Sequence, residues 1–239
     1  MSADAGETLT ARIWRSGPGR FQDFRVPRRA NQTVLDVVTW IQRRLDPTLG
    51  YRFACRVGMC GSCAMTVNGV PRWTCRTRVE RAAPGGEALE IAPLRNLPPI
   101  KDLAVDMTPL FERWQKALGR FVPPVEQGND FVVVPPATPA RRAADAGIEC
   151  IGCGVCHAAC DLAAADVEYL GPAALNRAWT LVNDARDGAQ LARIAAVAAA
   201  GGAFACHSHQ NCQAHCPKGL NPTAAISGLK RMAALGSRP

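Results

Sequence analysis

Eleven cysteines in a chain of 239 residues fall into three groups, and their spacing is that of metal or redox chemistry. The first group is Cys55, Cys60, Cys63 and Cys75, opening in the run Cys55-Arg-Val-Gly-Met-Cys60-Gly-Ser-Cys63. A gap of four residues and then of two is the spacing of plant-type 2Fe–2S sites, where a loop folds over the cluster. Gly58 and Gly61 suit such a loop, since residues free to take positive φ bring backbone N–H groups close to sulfur. Tetrahedral zinc is the competing use of four cysteines. Zinc sites usually pair two Cys-x2-Cys knuckles, however, and this group holds one.

The second group, Cys150, Cys153, Cys156 and Cys160, has the spacing of bacterial 4Fe–4S proteins. In two-cluster proteins of that kind the fourth cysteine of each run serves the other cluster. The third group, Cys206, Cys212 and Cys216-Pro217, is the same run with its second cysteine missing and His209 in the vacant place. Exchanging the fourth members gives one full set, Cys150, Cys153, Cys156 and Cys216. The other set is Cys160, Cys206 and Cys212, three thiolates that can hold a 3Fe–4S cluster. His209 is then either an imidazole ligand to a fourth iron or a loop side chain beside the cluster. His157, His207 and His215 also lie inside cysteine motifs, and His207 directly follows a member of the incomplete set.

The elements that must position these thiols divide the chain in two. Leu9, Ala11 and Ile13 alternate with polar neighbours as a strand does, and Phe21–Val26 can pair with it across Ser16–Gly19. Thr33 and Asp36 read as a capping box, followed by a helix with Val34, Val37, Val38, Ile41 and Leu45 on one face. Ala64–Val67 and Val70–Thr74 flank Asn68-Gly69, a two-residue hairpin signal, and Ala88–Ala92 is a weaker fifth strand. After Pro93, Pro98 and Pro99 the pattern turns helical. Helices are predicted over Thr108–Leu118, Cys150–Cys160, Leu175–Val182, Ala189–Ala200 and Thr223–Leu235, with Gly119–Pro139 a proline-rich surface loop. The fold class is therefore α+β, with a boundary near Val105.

Composition narrows the function. An odd cysteine count excludes a complete disulfide framework within one chain. Met1–Thr10 shows no secretory pattern, and the longest apolar run, Ile194–Ala205, is too short to span a bilayer, so the reading is soluble or peripheral. Lys and Arg number 28 against 20 Asp and Glu, a net charge of +8. These basic residues are dispersed and lack interleaved aromatics, which argues for docking to an acidic surface or anionic headgroups and against nucleic acid. There is no general-base constellation and no Gly-rich phosphate loop.

With the three cysteine groups in this order, the chain resembles the iron–sulfur subunit of succinate dehydrogenase and fumarate reductase. Further likeness lies in Cys206-His207-Ser208, Asn211-Cys212 and Cys216-Pro217-Lys218-Gly219-Leu220-Asn221-Pro222, in Leu97–Asp106 between the domains, and in Gly171–Leu175. The resemblance implies an N-terminal β-grasp, plant-type ferredoxin-like domain over residues 1–105 and an all-α helical ferredoxin domain over 106–239. It implies an electron path from FAD on a flavoprotein partner through 2Fe–2S, 4Fe–4S and 3Fe–4S clusters to quinone at a membrane anchor, with or without haem b. It further implies a place on the cytoplasmic side of the cell membrane, held there by complex assembly. Arg56 would lie in the loop facing the flavoprotein, and His207 and Lys230 are carried over as quinone-proximal groups.

One departure stands out. In many members the cysteine equivalent to Cys160 is followed by Pro and a tryptophan-bearing stretch that contacts quinone. Here Asp161-Leu162-Ala163-Ala164-Ala165 follows, and the first aromatic is Tyr169. Branches with dihaem anchors also lack those tryptophans, and Trp114 and Trp179 are expected in the core. An alternative expectation is a paralogous flavoprotein complex with a different acceptor or dicarboxylate substrate.

Overall fold

The alternating residues Leu9, Ala11 and Ile13 lie in strand β1 (Thr8–Arg15), which turns back at Ser16–Gly19 into antiparallel β2 (Arg20–Pro27). Helix α1 (Val34–Arg44) follows. Its capping box is closed in both directions: Thr33 Oγ1 accepts from the Asp36 N–H at 3.2 Å, and Asp36 Oδ2 accepts from the Thr33 N–H at 3.0 Å. Arg43 and Arg44 stand in its last turn, where cations complement the helix dipole. Val34, Val37, Val38 and Ile41 are buried as expected. Leu45, expected on the same face, is instead the C-cap and 46% exposed, because the helix stops one residue earlier. The computed structural model describes residues 7–124 and 132–236; of the terminal stretch read for a secretory pattern, residues 1–6 lie outside them.

Strands β3 (Ala64–Val67) and β4 (Val70–Trp73) form the hairpin, with Asn68 and Gly69 both at positive φ, as a type I′ turn requires. One-turn helix α2 (Val79–Ala82) leads to β5 (Leu89–Ala92). The sheet order is β2-β1-β5-β3-β4, so the faintest strand in the sequence is the central one. It runs parallel to β1 and antiparallel to β3. The helix α1 face closes over Ile13, Val26, Met65, Leu89 and Ile91 to make one core. Two short strands absent from the sequence reading, β6 (Pro99–Lys101) and β7 (Ala104–Val105), pair antiparallel near the end of this unit. Between them Asp102 is buried; it accepts from the N–H groups of Ser16 at 2.9 Å and Gly50 at 2.8 Å. Arg15 lies 3.2 Å from the same carboxylate and also pairs with Asp46, tying β1 to the segment after α1.

The chain divides into two units, Met1–Asp106 and Met107–Pro239. The second is helical: α3 (Thr108–Lys116), α4 (Pro139–Ile148), α5 (Val155–Ala158), α6 (Asp161–Ala165), α7 (Gly171–Val182), α8 (Gln190–Ala198), α9 (Asn211–Ala214) and α10 (Pro222–Leu235). A mixed sheet with its helix followed by helices is an α+β layout. Helix α7 is the hub, packed by α3, α4, α8 and α10, around Tyr169, Leu175, Ala178, Val182, Ile226 and Leu229. Gly228 permits the α10 contact: a Cβ there would lie 2.3 Å from the Trp179 ring. Trp114 and Trp179 both pack against this core, partly buried.

Three expectations need correction. Cys150–Cys160 is not a continuous helix: Gly152 and Gly154 take positive φ, and only Val155–Ala158 is helical, because the thiols are presented from a loop. Helix α7 begins at Gly171, four residues early, with Pro172 in its first turn. Pro139 starts α4, capped by Thr138 Oγ1, rather than ending a loop. Residues 119–124 and 132–138 of the expected Gly119–Pro139 loop carry no helix or strand; 125–131 lie outside the described residues. No helix among the described residues is long and apolar enough to cross a membrane.

Removing Asp102 takes one of two carboxylates from the buried Arg15 guanidinium and strands two N–H groups. Asp102→Ala should cost about 3 kcal/mol, read as a lower urea midpoint at unchanged slope. Asp46 is held down to about 2, first by the Thr48 hydroxyl and then by Arg15. Its contribution to stability is thus complete above about pH 4 and drains away as pH falls towards about 2. Asp46→Asn should flatten that acid limb in melts taken across this range.

Candidate metal centres

The first cysteine set is built by a loop and a hairpin. Cys55 Sγ accepts from the backbone N–H groups of Val57 at 3.4 Å, Met59 at 3.2 Å and Cys60 at 3.3 Å. The Cys55 N–H returns to Cys60 Sγ at 3.5 Å. This wrapping needs Arg56, Gly58 and Gly61 at positive φ; successive N–H groups turned inward form a nest for negative charge. Hydrogen bonds from the Cys55 N–H and the Ser62 hydroxyl, the latter at 3.0 Å, pull the Cys60 thiol down to about 6. Cys63 precedes β3 and Cys75 follows β4, so the hairpin brings them side by side. Thr74 fastens that junction through its N–H and its hydroxyl, both on the Cys63 carbonyl. Burial, followed by contact with Cys63, pushes the Cys75 thiol up to about 12.

The second unit gathers two sets. Cys156 is enclosed, and its thiol is pushed well up, first by burial and then by Cys153, Cys150, Cys212 and Cys216 around it. Cys150 is raised by burial, with Cys216 nearby and the Gly152 N–H and Arg177 opposing the shift. Cys216 thus joins Cys150, Cys153 and Cys156 across the sequence. Cys160 is also raised by burial and faces Cys206, while Cys212 faces both of these. These three thiols line one cavity with Tyr169, His209 and Thr223. The Ser208 N–H donates to Cys206 Sγ at 3.4 Å, from a backbone with Ser208 and Gln210 at positive φ.

Among the described residues no three His, Cys, Asp or Glu side chains close on a single metal ion. A cluster asks for something different, thiolates standing around several irons and sulfides. The chain's own residues fit that demand: thiols face one another in groups in each unit, and N–H and O–H donors aim at sulfur. Burial opposes free thiolates at these positions, and metal cations between the sulfurs remove that opposition.

The groups expected near quinone are arranged differently from one another. The Lys230 ammonium donates to the Cys206 carbonyl at 2.7 Å, so it braces the third set's main chain. His207 is exposed on the rim. The His209 side chain is 62% exposed, with Nδ1 4.0 Å from Asp161 Oδ2. Tyr169, by contrast, is fully buried with its ring in the helical core and its hydroxyl at Cys206. Sequence spacing had no signal for that inward turn, nor for Thr223 Oγ1 lying 3.4 Å from Cys212 Sγ.

Basic residues that look dispersed in sequence also converge. Arg29, Arg43, Arg44 and Arg56 line a cleft of about 380 Å³ with Trp40 and Asp36. Arg56 is paired with Asp36 at 2.8 Å; Arg29, Arg43 and Arg44 have no carboxylate partner among the described residues. Val57 and Met59, each 61% exposed, follow Arg56 on the cysteine loop.

Comparison with known proteins bears on both units. A family described as "2Fe-2S iron-sulfur cluster binding domain" matches residues 10–112, and one described as "4Fe-4S dicluster domain" matches residues 147–220. The fumarate reductase iron-sulfur subunit of Mycobacterium tuberculosis (strain CDC 1551 / Oshkosh) is 38% identical over 219 residues, 90% of this chain and 86% of the relative. The mitochondrial succinate dehydrogenase [ubiquinone] iron-sulfur subunit 1 of Oryza sativa subsp. japonica is 37% identical over 204 residues, 83% of this chain and 70% of the relative. Among solved structures, a chain of the Mycobacterium smegmatis Sdh1 complex in the apo form superposes with a TM-score of 0.86 at 25% identity, covering 98% of this chain and 99% of that one.

Gly58 carries the sharpest local test. Its φ is +76°, and a Cβ would lie 3.0 Å from Arg76 Cγ and 3.1 Å from the Trp73 ring. Gly58→Ala should remove about two irons per chain, with the iron of the second unit unchanged in the same assay.

Proposed function

Because the chain belongs to the family of iron–sulfur subunits of fumarate reductases and succinate dehydrogenases, we propose that it is the electron-transfer subunit of a succinate:quinone or quinol:fumarate oxidoreductase. It passes electrons between FAD on a flavoprotein subunit and quinone at a membrane anchor, which carries haem b or lacks it. The observation that supports this reading is that Cys63 stands beside Cys75, Cys150, Cys153 and Cys216 stand around Cys156, and Cys160 and Cys206 stand beside Cys212, with N–H and O–H donors aimed at sulfur. Cys55, Cys60, Cys63 and Cys75 hold a 2Fe–2S cluster in a β-grasp unit. Cys150, Cys153, Cys156 and Cys216 hold a 4Fe–4S cluster, and Cys160, Cys206 and Cys212 a 3Fe–4S cluster, in a helical ferredoxin unit. When bound, the clusters supply one-electron relay. The bond-making on succinate or fumarate belongs to the flavoprotein.

The residues of this chain hold and shield the relay. Loop N–H groups offset thiolate charge at Cys55 and Cys206, and helices α7 and α10 keep water from the sets of the second unit. The arginine cleft beside the first cysteine loop fits an acidic surface of the flavoprotein, with Val57 and Met59 as the apolar part of the contact; arginine and methionine are both enriched at interfaces. Assembly on the anchor places the subunit at the cytoplasmic face of the cell membrane. A paralogous complex with another acceptor is the second reading. It is favoured by Asp161–Ala165 directly after Cys160, a stretch without tryptophan, and by Lys230 being engaged at the Cys206 carbonyl.

Two experiments on the assembled complex test this. Cys60→Ser should abolish succinate-driven quinone reduction while succinate oxidation by a dye that accepts from the flavin continues; persistent quinone reduction would contradict the relay. Arg43→Glu with Arg44→Glu should release the flavoprotein at lower salt than the parent complex does. Unchanged retention would mean that the cleft is not the docking surface.

A further inference from the structure

The cavity bounded by Cys160, Cys206 and Cys212 is also lined by Tyr169, Ser208 and Thr223, and the hydroxyls of Tyr169 and Thr223 lie beside its thiols, where holding a cluster does not require them. Tyr169 is 1% exposed, and its hydroxyl faces the Cys206 thiol in that cavity. Thr223, in the first turn of α10, sets Oγ1 3.4 Å from Cys212 Sγ. Both are held in place by the fold. The Tyr169 ring is part of the helical core, and Thr223 follows Pro222 in a turn capped by Asn221, whose Oδ1 accepts from the Ala224 N–H at 2.9 Å. Beside a thiolate, which can only accept, each hydroxyl must be the donor.

We propose that Tyr169 and Thr223 are positioning residues for electron transfer, donating hydrogen bonds to the Cys206 and Cys212 thiolates and thereby raising the reduction potential of the three-thiolate cluster. The inference rests on the 3Fe–4S reading of that set. The physical reason is differential. The one-electron-reduced cluster carries one more negative charge, spread in part onto its sulfurs. A fixed donor to sulfur therefore stabilises the reduced form more than the oxidised one. Tyr169 is sheltered from water, so no solvent molecule substitutes for its hydroxyl. The two contacts fall on different thiolates, and their effects should largely add.

The consequence is directional. Raising this cluster makes it the favourable resting place for an electron arriving through the preceding set.

The test is a mediated redox titration of the oxidised 3Fe–4S EPR signal in the assembled complex, with Tyr169→Phe, Thr223→Val, Thr223→Ser and the Phe/Val double variant. Phe keeps the ring and Val keeps the branched shape, so each removes a hydroxyl with little change in packing. Each of these two should shift the reduced-to-oxidised ratio at fixed potential towards the oxidised form by up to about tenfold, which is about 59 mV for a one-electron couple. The double variant should shift it further, and Thr223→Ser, which keeps the hydroxyl, should titrate as the parent does. Parental midpoints in Phe and Val variants with full spin count would overturn the proposal. So would a Ser variant that falls as far as Val, since packing would then be the cause. Loss of the signal in both single variants would show that the hydroxyls serve assembly and not potential. Should the parent complex itself lack an oxidised 3Fe–4S signal, the cluster assignment fails first, separately from the role of the two hydroxyls.

Discussion

Crowded thiolates repel one another, and burial makes each harder to ionise; the rest of this structure is arranged around that constraint. Thiolates are stable in such company only with cations between them and donors behind them. The first unit supplies donors from a loop that wraps sulfur in backbone N–H groups, at the cost of positive φ at Arg56, Gly58 and Gly61. The second supplies them from helix ends and side chains, with breaks at Gly152 and Gly154 where a continuous helix would have turned the thiols apart.

The supporting framework follows from those needs. A hairpin fixes Cys63 and Cys75 because a turn at Asn68-Gly69 sets the register of β3 against β4. The buried Asp102 ties β1 and the post-helix segment to the end of the unit, which fixes the frame on which the cysteine loop hangs. In the second unit α7 is the common wall: α10 lies close against it through Gly228 and Trp179, carrying Thr223 to Cys212 and Lys230 to the Cys206 carbonyl.

Much of this was legible in the sequence because cysteine spacing and hydrophobic period are local signals. The β1–β2 pair, α1 with its cap, the hairpin and most of the later helices emerge from residues close in the chain. What escaped is set by contacts distant in the chain. Strand β5 is short and weakly patterned yet central, since both its neighbours are supplied by the fold. Strands β6 and β7 have too few residues for a period. Helical period puts Leu45 on the buried face, but the helix ends before it. At the sites, the proposed exchange of Cys160 and Cys216 rests on the doubled motif, with Cys216 beside Cys156 and Cys206 beside Cys160 in its support. The inward turn of Tyr169 could not be read from the sequence, because one aromatic nine residues past a cysteine has no characteristic spacing. The arginine cleft was likewise invisible, as Arg29, Arg43 and Arg56 come from three separate segments.

The central claim is the division of eleven thiols into sets of four, four and three. Iron counting on the complex purified with its partners, paired with EPR of the oxidised and dithionite-reduced states, tests it most directly. The division calls for about nine irons per chain, from one cluster of each type, and for an oxidised 3Fe–4S signal. A tenth iron with that signal absent would contradict it and make His209 a ligand; zinc in place of iron would contradict the electron path altogether.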